Sequence, residues 1–238
     1  MTTDFYDNSN FASQRQLLSL SSARASFEKS LCRFSAMSNL EKLKLERQIR
    51  NCVAEKASQG DYAVAIALLD ELIALRPDSA TDYNNRGLMY FRNNQIAEAL
   101  ADLSQAVKIN PKLDSAYNNR GNCHAAKGEL VEALTDYDVA LDLNPANLRA
   151  WINQGVTFRE VQMYDLAIEN FDIALIIGNR LQGRIYAERG RSYHLRGDWN
   201  CAVADYQQAL EILALKPKLA KFKQKVETWL AELLAPVR

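Results

Sequence analysis

Few side chains in this sequence have the type and spacing that catalysis needs. Cys123 and His124 are adjacent, so on a helix their side chains diverge by about 100° and cannot form a dyad alone. His194 also lacks an obvious nucleophile beside it. Motifs typical of phosphate loops, dinucleotide binding, zinc proteases and serine hydrolases do not occur in the sequence. We therefore expect a protein that is not an enzyme.

The cysteines show neither CxxC pairing nor the spacing of metal ligands. They are Cys32, Cys52, Cys123 and Cys201. Free thiols in a reducing cytoplasm explain them best. We therefore expect no metal site and no cofactor.

Charge and composition exclude further classes. Lys plus Arg and Asp plus Glu both total 29, and this neutrality argues against nucleic acid as a partner. No apolar stretch is long enough to span a bilayer, so we expect no membrane insertion. The polar, acidic first residues do not resemble a secretory signal, and we expect a cytoplasmic protein.

An internal repeat is the strongest pattern in the chain. The string YNNRG begins at Tyr83 and occurs again, unchanged, at Tyr117. A related string begins at Trp151, after the same interval, and another begins at Tyr186, after an interval one residue longer. The same interval separates three prolines, Pro77, Pro111 and Pro145. A period of roughly 34 residues indicates a stack of similar structural units.

Each unit has the pattern of two short helices. In one unit the first helix begins at Tyr83, and the second carries Ala99, Leu103 and Ala106 at helical spacing. Pro111 then ends the second helix, because proline cannot continue it.

A glycine recurs inside the first helix of each unit, where it costs about 1 kcal/mol relative to alanine. An alanine follows each glycine at a constant distance along the second helix. The pairs are Gly87 with Ala99, Gly121 with Ala133, Gly155 with Ala167, and Gly190 with Ala202. We expect these small residues to face each other and to let the paired helices approach closely.

The order of aromatic, glycine, alanine and proline positions resembles the tetratricopeptide repeat family. One unit reads Tyr83, Gly87, Tyr90, Ala99, Leu103, Ala106, Pro111. The resemblance implies an all-α fold, a right-handed superhelical α-solenoid of antiparallel helix pairs. Five repeats are predicted, at 46–79, 80–113, 114–147, 148–182 and 183–217.

The segment before the repeats has a different pattern. We expect residues 1–14 to be disordered and residues 15–45 to form an N-terminal helical extension. Ser38 and Glu41 form a capping box, which predicts a helix that runs to about Ser58. The leading helix of the first repeat should therefore extend towards the N-terminus.

The segment after Pro217 has apolar residues at helical spacing and lysines on the other face. It predicts a C-terminal capping helix over 218–235, since a solenoid needs a polar outer face at its end. A basic docking site for an acidic partner is the alternative for this helix.

The resemblance also implies that the first helix of each repeat lines a concave groove that binds a partner. The candidate groove residues are Asn84, Asn118, Asn122, Arg149, Arg159, Arg184 and Arg191. Asparagine can bind a peptide backbone, and arginine can bind carboxylates. The implied function is a non-enzymatic scaffold or assembly factor for another protein or an extended peptide, acidic or recognised through its backbone. The alternative is a self-associating structural protein whose segment from Leu17 to Phe34 docks on another copy.

Comparison of the repeats with one another predicts ion pairs inside each unit. Three repeats carry an arginine followed sixteen positions later by an aspartate, and the fourth carries Gln154 followed by Asn170. The three charged pairs are Arg86 with Asp102, Arg120 with Asp136, and Arg189 with Asp205. We expect each pair to bond across the two helices of its repeat.

Overall fold

The computed structural model describes residues 37–235. Between these limits the chain is helical and contains no β-strand. The helices are α1 (Asn39–Gln59), α2 (Tyr62–Leu75), α3 (Ala80–Arg92), α4 (Ile96–Ile109), α5 (Asp114–Lys127), α6 (Leu130–Leu143), α7 (Leu148–Glu160), α8 (Tyr164–Ile177), α9 (Gln182–Arg196), α10 (Trp199–Ala214) and α11 (Ala220–Leu234). None of the helices in this part of the chain is long and apolar enough to cross a membrane.

The first unit of the structure ends at Pro77 and contains α1 and α2. The predicted capping box is confirmed: the Ser38 backbone N–H donates to Glu41 Oε2 at 2.8 Å, and Glu41 N–H donates to Ser38 Oγ. Helix α1 therefore begins well before the predicted repeat, as expected. Three predicted segments lie wholly or mostly outside the described residues. They are the disordered segment 1–14, the N-terminal extension 15–45, and the docking segment from Leu17 to Phe34.

The second unit begins at Asp78 and contains four helix pairs followed by α11. The pairs are α3 with α4, α5 with α6, α7 with α8, and α9 with α10. Within this unit each pair packs against the next, and α11 packs against α10. The predicted all-α class and the solenoid of helix pairs are confirmed.

The glycines of the first helices lie against large side chains of the second helices. A Cβ added to Gly121 would lie 2.7 Å from Tyr137 Cε1, and one added to Gly87 would lie 2.7 Å from Leu103 Cγ. The predicted alanine partner contributes only a carbonyl oxygen, 3.1 Å away in the case of Ala133. The expected close approach therefore exists, but the residue opposite each glycine is the bulky one sixteen positions later.

Helix α11 covers the apolar end of the second unit. Its Val226 is fully buried, and its Trp229 is 8% exposed. The Trp229 ring lies 6.2 Å, centre to centre, from the buried ring of Tyr206 on α10. Lys221 and Lys225 on the same helix are exposed to solvent. This amphipathic arrangement buries the last apolar face of α10.

Candidate functional site

The predicted arginine–aspartate pairs are confirmed in all three repeats. Each guanidinium donates two hydrogen bonds to its carboxylate, and all six distances are 2.7 or 2.8 Å. In chain order these are Arg86 with Asp102, Arg120 with Asp136, and Arg189 with Asp205. The arginines also lie over tyrosine rings, as with Arg189, 5.4 Å from the centre of Tyr186. These arginines are structural and are not available to a ligand.

The prediction for the fourth repeat is wrong. Gln154 donates at 2.6 Å to Oδ1 of Asp138, which is a residue of the preceding repeat. It does not donate to Asn170. Arg189, at the matching position of another repeat, also donates to the preceding repeat, to Asp172 Oδ1 at 2.5 Å, in addition to its bonds with Asp205.

Asparagines of the first helices form a chain of hydrogen bonds across three repeats. Asn153 Nδ2 donates to Asn118 Oδ1 at 3.0 Å, and Asn118 Nδ2 donates to Asn119 Oδ1 at 3.3 Å. Asn119 Nδ2 then donates to Asn84 Oδ1 at 2.9 Å, and Asn84 donates to Asn85 at 3.4 Å. Two predicted groove residues, Asn84 and Asn118, are thus buried links between α3, α5 and α7, with 6% and 4% of their surface exposed.

Two of the four predicted groove arginines are already paired. Arg159 donates to Glu188 Oε2 at 2.7 Å and to the Glu188 carbonyl at 3.1 Å. Arg191 donates to Glu232 of α11 at 2.9 Å and lies 5.5 Å from the centre of the Trp229 ring.

The other two groove arginines, Arg149 and Arg184, are exposed. Neither has an ion pair within residues 37–235. The groove of the second unit is therefore much less positive than the arginine positions alone predict.

A cavity of about 400 Å³ opens between α5 and α7. It brings together two of the predicted residues, Asn122 and Arg184, but not Arg149. Its lining consists of Phe91, Asn122, Ala125, Ala126, Tyr137, Asn153, Val156, Thr157, Glu160 and Arg184. Apolar walls combined with a few amide and charged groups are typical of sites that bind a ligand.

Polar groups in the cavity are held by defined hydrogen bonds. The Tyr137 hydroxyl donates to Asn122 Oδ1 at 2.9 Å, and the Thr157 hydroxyl donates to the Asn153 carbonyl at 3.0 Å. Burial raises the pKa of Tyr137, so the phenol stays protonated at neutral pH.

Tyr137 is not among the groove residues predicted from the sequence. A comparison between repeats gives only a partial signal: the matching residues Leu103 and Phe171 carry no hydroxyl, but Tyr206 carries one, so packing does not require the polar group of Tyr137.

Both histidines contact charged side chains. His124 Nδ1 lies 2.7 Å from Glu129 Oε2, and His194 Nδ1 lies 3.3 Å from Arg191 Nη1. Burial, together with the charge of Arg191, lowers the pKa of His194. Burial also raises the pKa of the Cys123 thiol to about 12, which leaves it unreactive at neutral pH.

Family models of the tetratricopeptide repeat match residues 55–118 and 90–148. Residues 55–148 therefore carry tetratricopeptide repeats. Tetratricopeptide repeat proteins are also found among the similar solved structures. No match emerges among curated proteins.

Three solved structures illustrate the likeness of fold. TTC0263 of Thermus thermophilus is 18% identical, with 77% of this chain and 99% of that chain covered and a TM-score of 0.67. A MamA structure is 23% identical, with 70% of this chain and 96% of that chain covered and a TM-score of 0.58. YrrB is 19% identical, with 74% of this chain and 89% of that chain covered and a TM-score of 0.54. At these identities the likeness concerns the fold alone.

Proposed function

We propose that this tetratricopeptide repeat protein is a non-enzymatic scaffold that binds an extended segment of another protein in the cavity between α5 and α7. The observation that carries the proposal is the composition of that cavity. Phe91 and Val156 offer apolar surface for an anchoring side chain, while Asn122 and Asn153 offer amide groups beside it. The likeness to YrrB, described as having an unusual peptide-binding site, supports the same type of ligand.

The charges around the cavity favour a segment recognised mainly through its backbone. Arg184 is the exposed cation of the lining and suits an acidic side chain of the ligand. Glu160 lines the same cavity and opposes a strongly acidic ligand. We therefore expect one acidic side chain near Arg184 to help binding, and an acidic tract not to do so.

A reducing compartment such as the cytoplasm suits the exposed free thiols of Cys52 and Cys201, which oxidation would otherwise cross-link.

A random peptide library panned against the immobilised full chain tests the proposal. Peptides that are recovered should bind the wild-type protein in fluorescence polarisation. Val156→Arg places a long charged side chain in the cavity and should weaken binding by at least about tenfold, equivalent to about 1.4 kcal/mol.

Val131→Arg is the matched control, because Val131 is 75% exposed on α6 and does not line the cavity. It should bind like the wild type. Equal affinity of the Val156→Arg and Val131→Arg variants would place the binding site elsewhere and overturn the proposal.

A further inference from the structure

The turn between α10 and α11 and the beginning of α11 form a strongly basic surface. Residues 215–226 include five lysines and no acidic residue. The lysines are Lys216, Lys218, Lys221, Lys223 and Lys225. The whole chain has 29 basic and 29 acidic residues, so acidic residues outnumber basic ones by five in the rest of it. This segment therefore differs in the sign of its charge from the remainder of the chain.

Most of these lysines have no acidic partner. Lys216, Lys218 and Lys221 are exposed, and none of them forms an ion pair within residues 37–235. Lys223 does form one, with Glu227 at 3.3 Å. The unpaired ammonium groups are therefore available to an anionic partner.

The positions of the lysines are unfavourable for α11 itself. The beginning of a helix carries a partial positive charge, which acidic side chains stabilise and cations oppose. The first turn of α11 contains Lys221 and Lys223 and no acidic residue. Helix stability therefore does not explain these lysines, whereas an anion bound beside them would offset the repulsion.

Two exposed leucines lie among the lysines. Leu215 is 83% exposed, and Leu219 is 40% exposed. The Leu219 backbone N–H donates to the Lys216 carbonyl at 2.8 Å, so the turn is tight and keeps the leucines and lysines in one patch. We call this patch the basic corner. It consists of Leu215, Lys216, Lys218, Leu219, Lys221 and Lys225.

The aromatic side chains of α11 face the protein and not the basic corner. Lys221 and Lys225 are four positions apart, so they lie on the same side of the helix, and both are exposed. Val226 and Trp229 are buried in the core that α11 forms with α10, and Phe222 packs against the same core. Nucleic acid bases would therefore find no aromatic ring to stack on, which argues against a nucleic acid as the partner.

The residue types of the basic corner suit an extended anionic surface better than a single acidic side chain. Lysine is a point charge on a flexible stem, whereas arginine binds a carboxylate through two parallel hydrogen bonds. This chain uses arginine for such bonds, as in Arg120 with Asp136, and the basic corner contains no arginine. Exposed leucines add apolar surface that can enter the boundary between lipid headgroups and acyl chains.

We propose that the basic corner binds the surface of a membrane that contains anionic lipids. The lysines lie against the headgroups, and Leu215 and Leu219 enter the acyl boundary. Adsorption of this kind needs no helix that crosses the bilayer, and residues 37–235 contain no such helix. The inference goes beyond the proposed function, since the basic corner shares no residue with the cavity between α5 and α7.

Flotation of the full chain with lipid vesicles tests the inference. One set of vesicles contains about one third phosphatidylglycerol in phosphatidylcholine, and the other set contains phosphatidylcholine alone. At low salt the protein should float with the anionic vesicles and not with the neutral ones, and added salt should release it. Failure to float with the anionic vesicles, or equal flotation with both sets, would overturn the inference.

A pair of lysine variants tests whether the charge acts at this place. Lys216→Gln combined with Lys221→Gln should lower partition onto anionic vesicles by about twentyfold, since each lysine near such a surface contributes about fivefold. Lys108→Gln combined with Lys112→Gln removes the same charge at exposed positions elsewhere and should partition like the wild type. Equal losses in the two variants would show that net charge alone drives binding and would overturn the inference.

A pair of leucine variants separates a membrane from an acidic protein. Leu215→Gln combined with Leu219→Gln keeps every lysine and should lower partition by at least about tenfold, because its side chains no longer enter the acyl boundary. Val131→Gln combined with Ile176→Gln is the matched control, at positions 75% and 84% exposed, and should change nothing.

The leucine variant decides between the two partners. If it partitions like the wild type, the inference is overturned, and retention of the wild type on immobilised polyglutamate would then assign the basic corner to an acidic protein. All of the substitutions are at exposed positions, so each variant should keep the helical circular dichroism spectrum of the wild type.

Discussion

Arg120 and Asp136 face each other across α5 and α6 and form two parallel hydrogen bonds, Nε to Oδ2 at 2.8 Å and Nη2 to Oδ1 at 2.7 Å. The Asp136 side chain is 6% exposed, and the hydrogen bonds to it raise the pKa of Arg120. The same bidentate geometry recurs in two other repeats. The pair therefore fixes the two helices of a repeat relative to each other.

Asp136→Ala should lower the free energy of unfolding by about 3–5 kcal/mol, because it leaves the Arg120 charge largely buried without its partner. The double variant Arg120→Leu with Asp136→Leu should lose much less, since no charge is left unpaired. Urea unfolding of the full chain measures both. Asp142→Ala, at an exposed position of α6, is the control and should change stability by less than about 0.5 kcal/mol. A double variant as unstable as Asp136→Ala would contradict this explanation.

Gly121→Ala should lower the free energy of unfolding by about 1–3 kcal/mol, although alanine is the better helix former. The new Cβ would lie 2.7 Å from Tyr137 Cε1 and 3.1 Å from the Ala133 carbonyl oxygen, so α5 and α6 must separate. Gly178→Ala is a matched control, because its nearest neighbour would be 3.8 Å away. Thermal unfolding followed by circular dichroism distinguishes the two. A stabilised Gly121→Ala protein would show that close helix approach is not required there.

The buried thiol of Cys123 should make stability fall with rising pH above about 9. Burial raises its pKa from 9.0 to about 12 in the folded protein. The folded state therefore retains the proton between these values while the unfolded state loses it. The free energy of unfolding should fall by up to about 1.4 kcal/mol per pH unit from this group.

Chemical denaturation between about pH 8 and pH 10 measures the effect, and Cys123→Ala should show a shallower decline than the wild type. If the free energy of unfolding fell equally fast with pH in both proteins, Cys123 would not be the cause of the decline. Alkylation at mildly alkaline pH, followed by mass spectrometry, provides a second check. Cys52 and Cys201 are exposed and should react much faster than Cys123.

Peptide binding should weaken only modestly as salt rises, because Arg159 and Arg191 are already neutralised within the protein. A peptide with one acidic residue beside its anchor should lose about two- to fivefold in affinity between low and high salt, as for an exposed ion pair. Arg184→Gln should remove most of that salt dependence, whereas Arg149→Gln, also exposed but outside the cavity, should keep it. A loss of a hundredfold or more would indicate that many cations contact the ligand.

The sequence alone predicts the features that repeat. A constant period places equivalent residues in equivalent surroundings, so comparison of the repeats is enough to predict the helix pairs and the three arginine–aspartate bonds. The capping box at Ser38 is predictable for a similar reason, because its two partners lie within one turn of a helix.

The sequence alone does not show which groove residues are already bonded to other parts of the protein. Predicted groove residues are bonded to residues far away in the sequence. Arg159 and Glu188 are 29 positions apart, Asn119 and Asn84 are 35 apart, and Arg191 and Glu232 are 41 apart. These contacts depend on how one repeat sits on the next, and residue type alone does not distinguish a paired arginine from a free one. Contacts within a repeat follow the period of the sequence, whereas contacts between repeats depend on packing.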